Sequence, residues 1–202
     1  MRGTAEPSPA HLYRVTPRVE LTRIGDANET DAKCRLMTTF LAIDFETANQ
    51  GRDSACAVGL AVGRDGRVVE TAQFLIRPPS REFQFTYIHN LSWRDVCTAP
   101  DFGGLWPRLN TYLDEVDFLV AHNAPFDRSV LRACCTRHGV ELPPLPFECT
   151  VRIARNFFGF RPARLPDVCA RLAIPLRHHD AASDAEACAR IVLAAQAAGW
   201  QR

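Results

Sequence analysis

Residues able to bind a metal or move a proton stand out in three short segments. In the first, "TFLAIDFETANQ" (Thr39 to Gln50), an apolar run ends in two acids, Asp44 and Glu46, one residue apart. Residues i and i+2 of a strand project to one face, so the two carboxylates lie side by side while Ile43 and Phe45 point the other way. Like charges that close repel and raise each other's pKa unless a cation sits between them. The structural alternative is a solvated turn at a strand end. In the second segment, "FLVAHNAPFDRSVLRACC", a strand runs into a helix whose first turn carries Asp127. Pro125 suits the first helical position and the helix dipole favours an acid nearby, so Asp127 alone would pass for a helix-start acid, and His122 and Asn123 for loop-ordering residues. In the third, "LRHHDAASDAEACARIV", His178, His179, Asp180 and Asp184 lead into an amphipathic helix with Ala185, Cys188, Ala189 and Val192 on its buried side. Asp184 adjoins that side, and a carboxylate so near a core needs a partner. His179, five residues earlier, can lean over the first turn.

The elements that must position these residues follow from the pattern. Strands are expected from Thr38 to Asp44, Ala55 to Val62 and Val68 to Ile76, the last two joined by a hairpin at Asp65-Gly66. A loop with Pro78 and Pro79 precedes a helix from Asp101 to Leu113 and a short strand from Asp117 to Ala121. A helix from Pro125 to Arg137 and a strand from Phe147 to Cys149 come next, then helices near Val151 to Phe157, Leu165 to Leu172 and Ala181 to Ala198. A meander first and strand–helix alternation afterwards implies an α/β fold with a mixed sheet and helices packed on it. Residues 1–36 are mixed, charged and aperiodic, and read as a loosely ordered extension before a domain spanning 37–202. Met37 stands just before the first convincing strand, where an alternative start is expected.

With 202 residues and 47% hydrophobic content the chain can bury one core of ordinary size. A net charge of +1 supplies no global field for nucleic acid, so any such signal must be local. Of 24 basic residues only Lys33 is lysine, and arginine's planar fork suits phosphate. Six arginines (Arg152, Arg155, Arg161, Arg164, Arg171, Arg177) face one acid, Asp167, between positions 152 and 177; a solvated helical face is the plainer reading. The eight cysteines lie mostly in apolar runs without C-x-x-C spacing, as small buried hydrophobes in a reducing compartment. No apolar stretch approaches the roughly 18 residues of a membrane span, and no signal peptide is evident, so a cytoplasmic location is expected.

Each segment alone is weak, but together D-x-E-T, H-N-A-x-F-D and H-x-x-x-x-D, in this order, resemble the DEDD 3′–5′ exonucleases of the ribonuclease H-like superfamily. The likeness runs from Thr38 to about Ala198 and is nearest to the branch that includes the proofreading epsilon subunit of bacterial DNA polymerase III. A sister branch carries tyrosine four residues before the last acid, where this chain has Asp180, which places it in the histidine branch (DEDDh). The resemblance implies a five-stranded ribonuclease H-like sheet flanked by helices. It also implies two divalent ions, Mg²⁺ or Mn²⁺, held by Asp44, Glu46, Asp127 and Asp184, with His179 as general base. Thr47, Ala48, His89, Asn123 and Phe126 would contact the substrate. Related sequences often have I-T-G or I-H-G where this chain has Ile88-His89-Asn90; Asn is the residue best able to replace Gly at positive φ. His178, outside the family spacing, is expected to make only a loop or helix-start contact.

Phosphodiester hydrolysis needs an activated water on one side of phosphorus and a stabilised leaving oxygen on the other, which two hard cations about 4 Å apart supply. The expected substrate is a single-stranded DNA 3′ end, with a replication or repair polymerase as a possible partner and nucleoside monophosphates as products. An RNA-trimming exonuclease on the same fold is the alternative, since phosphate contacts and stacking on Phe83, Phe85, Tyr87 or Trp93 serve either strand. An idle binding module would have little reason to keep all five polar positions, and a nucleotide-binding α/β protein would need a Gly-rich phosphate loop, which is lacking.

Overall fold

The computed structural model describes residues 38–114, 116–142 and 144–202; the expected extension, residues 1–36, lies outside them. Five strands, β1 (Phe40–Thr47), β2 (Ala55–Arg64), β3 (Arg67–Leu75), β4 (Phe118–Ala121) and β5 (Phe147–Cys149), form one sheet in the order β3-β2-β1-β4-β5. β1 pairs antiparallel with β2 and parallel with β4, so the sheet changes sense at its central strand. The two-residue turn between β2 and β3 has Asp65 and Gly66 both at positive φ, as the Asp-Gly pair requires.

Alternation along β1 divides the core. Leu41, Ile43 and Phe45 face α3 (Phe102–Leu113) and α4 (Ala124–His138) through Phe102, Leu105, Leu109, Val130 and Leu131. Phe40 and Ala42 face the other layer, α5 (Thr150–Asn156), α6 (Leu165–Leu172) and α7 (Ala181–Ala197), through Ile153, Val168, Ile191 and Val192. Cys134, Cys135, Cys169 and Cys188 are buried in these layers, as their apolar settings suggested.

The stretch after Pro79, expected to be loop, contains two one-turn helices, α1 (Thr86–His89) and α2 (Trp93–Val96). They are too short for periodicity to show. The second is held by a capping box in which the Ser92 amide and hydroxyl both donate to Asp95. Asn90, ending α1, has φ 58°, so the left-handed position that glycine would fill is kept by asparagine.

α7 lies closely on the sheet at Gly59, which pairs with Asp44. A Cβ there would stand 1.9 Å from the Ala181 carbonyl oxygen. The same end of α7 is pinned by the Ala182 amide donating to Gln73 (3.1 Å) and by Asp180, which caps the helix by accepting from the Ser183 amide (2.9 Å). Gly59→Ala is therefore expected to push the first turn of α7 off the sheet, costing about 1–3 kcal/mol. Gly104→Ala, whose Cβ meets nothing closer than 3.4 Å, should be neutral to slightly stabilising. Urea unfolding of both variants checks the contrast.

Candidate active site

β1 outruns its parallel neighbour. Its last rung with β4 is Ala42 to Val120, beyond which the chain leaves β4 for the turn into α4. The Phe45 amide, between Asp44 and Glu46, is taken instead by Asp127, whose Oδ1 accepts it at 3.0 Å. One hydrogen bond thus fastens the start of α4 to the strand that carries the other two acids. On the β2 side the register slips between Glu46 and Thr47, leaving Cys56 as the extra residue, and its thiol donates to the Glu46 carbonyl (3.4 Å). Bulges of this kind bend a strand and re-aim its side chains. Asp184, in the first turn of α7, arrives from the layer that Asp44 and Glu46 face, through the contact at Gly59.

Asp127 and Asp184 are buried, and Asp44 and Glu46 are half-buried. Loss of hydration is the main cause of a raised pKa in all four. It pushes Asp44 well above the carboxylate range, with the charges of Asp127, Asp184 and Glu46 adding to the shift. Glu46 is pushed up to about 8 by burial, then by Asp184 and Asp127. Asp127 is pushed up to about 7 by burial, against the pull of the Phe45 amide. Asp184 is raised by burial, against the His179 amide and the His178 ring. Its Oδ1 is buried with no hydrogen-bond partner among the described residues. Clustered, dehydrated carboxylates with an unclaimed oxygen fit a hard divalent cation, which prefers oxygen ligands and offsets their repulsion.

The histidines depart from expectation. The side chain that reaches Asp184 is that of His178, donating from Nδ1 to Oδ2 at 2.9 Å. His179 reaches the same oxygen through its backbone N–H (3.1 Å), with φ 68°. The two rings stack with centroids 3.8 Å apart. His178 is thus more than a loop contact: the left-handed turn at His179 swings the preceding ring onto the acid, which linear spacing does not reveal. Burial, then the charge of His178, hold the His179 imidazole below its ordinary value of 6.5.

The other expected contacts divide. Asn123, at φ 66° before α4, is exposed and lines the cleft beside Asp44 and Asp184. Phe126 is half-buried beneath the Arg52 guanidinium, 4.5 Å from the ring centre. Thr47, Ala48 and His89 are buried. His89 accepts from the Leu91 amide at Nδ1 (3.1 Å), so Nε2 carries the proton and donates to the Thr47 carbonyl (3.2 Å). Both nitrogens are engaged and burial lowers its pKa; in this structure it ties α1 to the end of β1. His122 bonds Thr150 Oγ1 (2.8 Å) and is driven down to about 4, chiefly by burial. It also lines the cleft, of about 890 Å³, together with Arg155, Arg161 and Arg164.

A family model described as exonuclease, of the RNase T type, matches residues 41–192. The chain belongs to that family, the DEDD 3′–5′ exonucleases its motifs resemble. The exonuclease is 29% identical over 161 residues to the PolC-type DNA polymerase III of Thermotoga petrophila, covering 77% of this chain and 12% of the relative. Against the PolC-type enzyme of Oceanobacillus iheyensis it is 29% identical over 187 residues, covering 88% and 13%. It therefore spans about an eighth of the length of these curated relatives. Among solved structures the fold is similar to exonuclease X in complex with 5′-overhanging duplex DNA (TM-score 0.66, 21% identity, 80% of this chain and 94% of that one). It is likewise similar to the nuclease domain of 3′hExo, a DEDDh member bound to rAMP (TM-score 0.70, 17% identity, 82% and 94%). Among the described residues no helix is long and apolar enough to cross a membrane.

The raised carboxylates set a pH dependence. Between the unfolded values near 4 and the folded values of about 7 for Asp127 and about 8 for Glu46, the native state binds more protons than the unfolded chain. Stability in EDTA should therefore fall as pH rises through that window. Mg²⁺ or Mn²⁺ should raise Tm more at pH 8 than at pH 5, and Glu46→Gln should flatten the EDTA profile. Differential scanning fluorimetry across pH reads both; a Tm in EDTA that climbs toward pH 8 would contradict the assignment.

Proposed function

We propose that this exonuclease removes nucleoside monophosphates from the 3′ end of single-stranded DNA by metal-dependent hydrolysis, in proofreading or repair. The observation that carries the proposal is the gathering of four dehydrated carboxylates around the C-terminal end of β1, of which Asp44 and Asp184 line a cleft shared with Arg155, Arg161 and Arg164 and Asp184 keeps an unclaimed oxygen. Asp44, Glu46, Asp127 and Asp184 would hold two divalent ions, Mg²⁺ or Mn²⁺, which when bound supply Lewis acidity toward phosphate oxygens and lower the pKa of water.

The remaining work falls to the protein. His179, exposed, stacked on the cleft-lining His178 and held below 6.5, is largely neutral at pH 7 and can accept the proton of the attacking water. His178 orients Asp184 through the 2.9 Å hydrogen bond, as outer partners of metal-ligating carboxylates do. Arg155 and Arg161 offer guanidinium forks to the phosphates of the strand, contacts that carry no base information, while the Arg164 fork is held by Asp167. Asn123, exposed in the cleft, would meet the terminal nucleotide, and Thr47, Ala48 and Phe126 would shape its surroundings. The likeness to PolC-type polymerases supports work alongside a polymerase.

The test uses a pair of 5′-labelled DNA and RNA oligonucleotides with Mg²⁺ or Mn²⁺. Stepwise shortening from the 3′ end is expected, with DNA preferred; a reversed preference would favour RNA trimming, and internal nicking of circular single strands would overturn the reading. Asp44→Ala and Asp184→Ala should each leave under a tenth of wild-type activity in a folded protein. The histidines should separate by kinetic parameter. His179→Ala should lower kcat by roughly 10²–10⁴-fold at saturating metal. His178→Ala should mainly raise the Mg²⁺ concentration needed for half-maximal rate, roughly 10-fold or more. If His178→Ala gives the larger fall in kcat at saturating metal, the proton acceptor is misassigned.

A further inference from the structure

We propose that a second cleft, lined by Arg128, Arg132 and Arg152, is a phosphate-binding track that grips the substrate strand at a distance from the bond being cut. This rests on the exonuclease reading and extends it. The cleft, of about 370 Å³, lies between the N-terminal half of α4, β5 and the first turn of α5. Arg128 and Arg132 are four residues apart on one face of α4, roughly 6 Å from each other at Cβ. Arg152 comes from α5. All three are exposed, and among the described residues none forms an ion pair. Arg77, Arg137, Arg164, Arg177 and Arg190 each have a carboxylate partner, while the other described arginines, like these three, have none, so it is the clustering of Arg128, Arg132 and Arg152 in one cleft that sets them apart. Three clustered cations without a counter-charge create a local positive potential in a protein whose net charge is only +1.

Location decides what would fill it. Asn123 and Val151 line the catalytic cleft, while their chain neighbours Ala124 and Arg152 line the arginine cleft. The two grooves therefore meet across the turn from β4 into α4 and the start of α5. A ligand occupying both must be long and polyanionic. A single strand meets that description, its successive phosphates suiting guanidinium forks while Pro125 and Phe147 offer apolar surface to sugar or base. A free phosphate would occupy one groove without linking them. The cleft would then govern how strongly the exonuclease depends on substrate length, separately from its chemistry.

The experiment compares wild type with the double variant Arg132→Ala/Arg152→Ala on single-stranded DNA of one 3′ sequence, from a dinucleotide up to about 16 nucleotides. Both positions are exposed, and Tm checks that the fold is kept. For wild type, KM should fall as the strand lengthens. In the variant that fall should largely vanish, with KM for the longest strand up roughly tenfold and its salt slope shallower by about 0.7 for each phosphate no longer gripped. Rate on the dinucleotide, too short to reach the cleft, should stay within about twofold. Retention of the wild-type length dependence and salt slope would overturn the proposal. So would a nucleoside monophosphate that competes for the cleft as well as the long strand does. Fluorescence anisotropy of the labelled strand in EDTA separates this idea from the exonuclease reading. If wild type cleaves nothing yet the variant still loses length-dependent binding, the track stands and the proposed reaction falls.

Discussion

The site depends on β1 running on after its parallel neighbour has turned away. From Ile43 to Thr47 the strand keeps its antiparallel partner but has no β4 rung, so its exposed backbone is available to other elements. A buried amide without a partner is costly, and the Phe45 N–H finds one in Asp127. The hydrogen bond that completes the backbone therefore also delivers the third acid to the first two. Crevices at the carboxyl ends of strands, where a sheet changes direction, are general binding positions in α/β folds, and here that geometry is built into β1.

Delivery of the fourth acid is a matter of close approach. Asp184 could not stand near Asp44 if α7 sat at an ordinary distance from the sheet. Gly59, beside Asp44 in the neighbouring strand, removes the side chain that would hold the helix away. The capping of α7 by Asp180 and its bond to Gln73 then fix where its first turn begins. Packing on both faces of the sheet holds the carboxylates together despite lost hydration and mutual repulsion, both of which would otherwise drive them apart or protonate them. A divalent cation held there, as proposed, would relieve that cost.

Arginine placement shows how the surface complements the site. With net charge near neutrality, attraction for a polyanion must come from arrangement, and Arg155 and Arg161, which have no carboxylate partner among the described residues, share the cleft with Asp44 and Asp184 while Arg164 beside them is paired with Asp167. The aromatic cluster Phe157, Phe158 and Phe160, with Arg171 over the last ring, supports the loop that carries Arg161 and Arg164.

Much of this was legible in the order of residues. Strand alternation and the Asp-Gly turn located the meander, and the five-stranded sheet with helices on both faces agrees with the family resemblance. The acids were recognisable because D-x-E, H-N-A-x-F-D and H-x-x-x-x-D are local patterns that need only a strand end and two helix starts to express them. Asn90 at positive φ was likewise predictable, since the preference belongs to the residue itself. Other features belong to the tertiary structure because they depend on residues distant in sequence. The role of Gly59 is set by Ala181, and the two one-turn helices owe their place to contacts such as His89 with Thr47. The meeting of His178 and His179 on Asp184 turns on a single left-handed residue, which sends one ring and the next amide to the same carboxylate oxygen. Sequence by itself determined which acidic and imidazole groups are available to the site, since chemical identity and local periodicity are properties of the chain. Which atoms of those groups meet was decided only when helices and sheet packed, because burial and hydrogen-bond geometry arise from neighbours that linear order does not name.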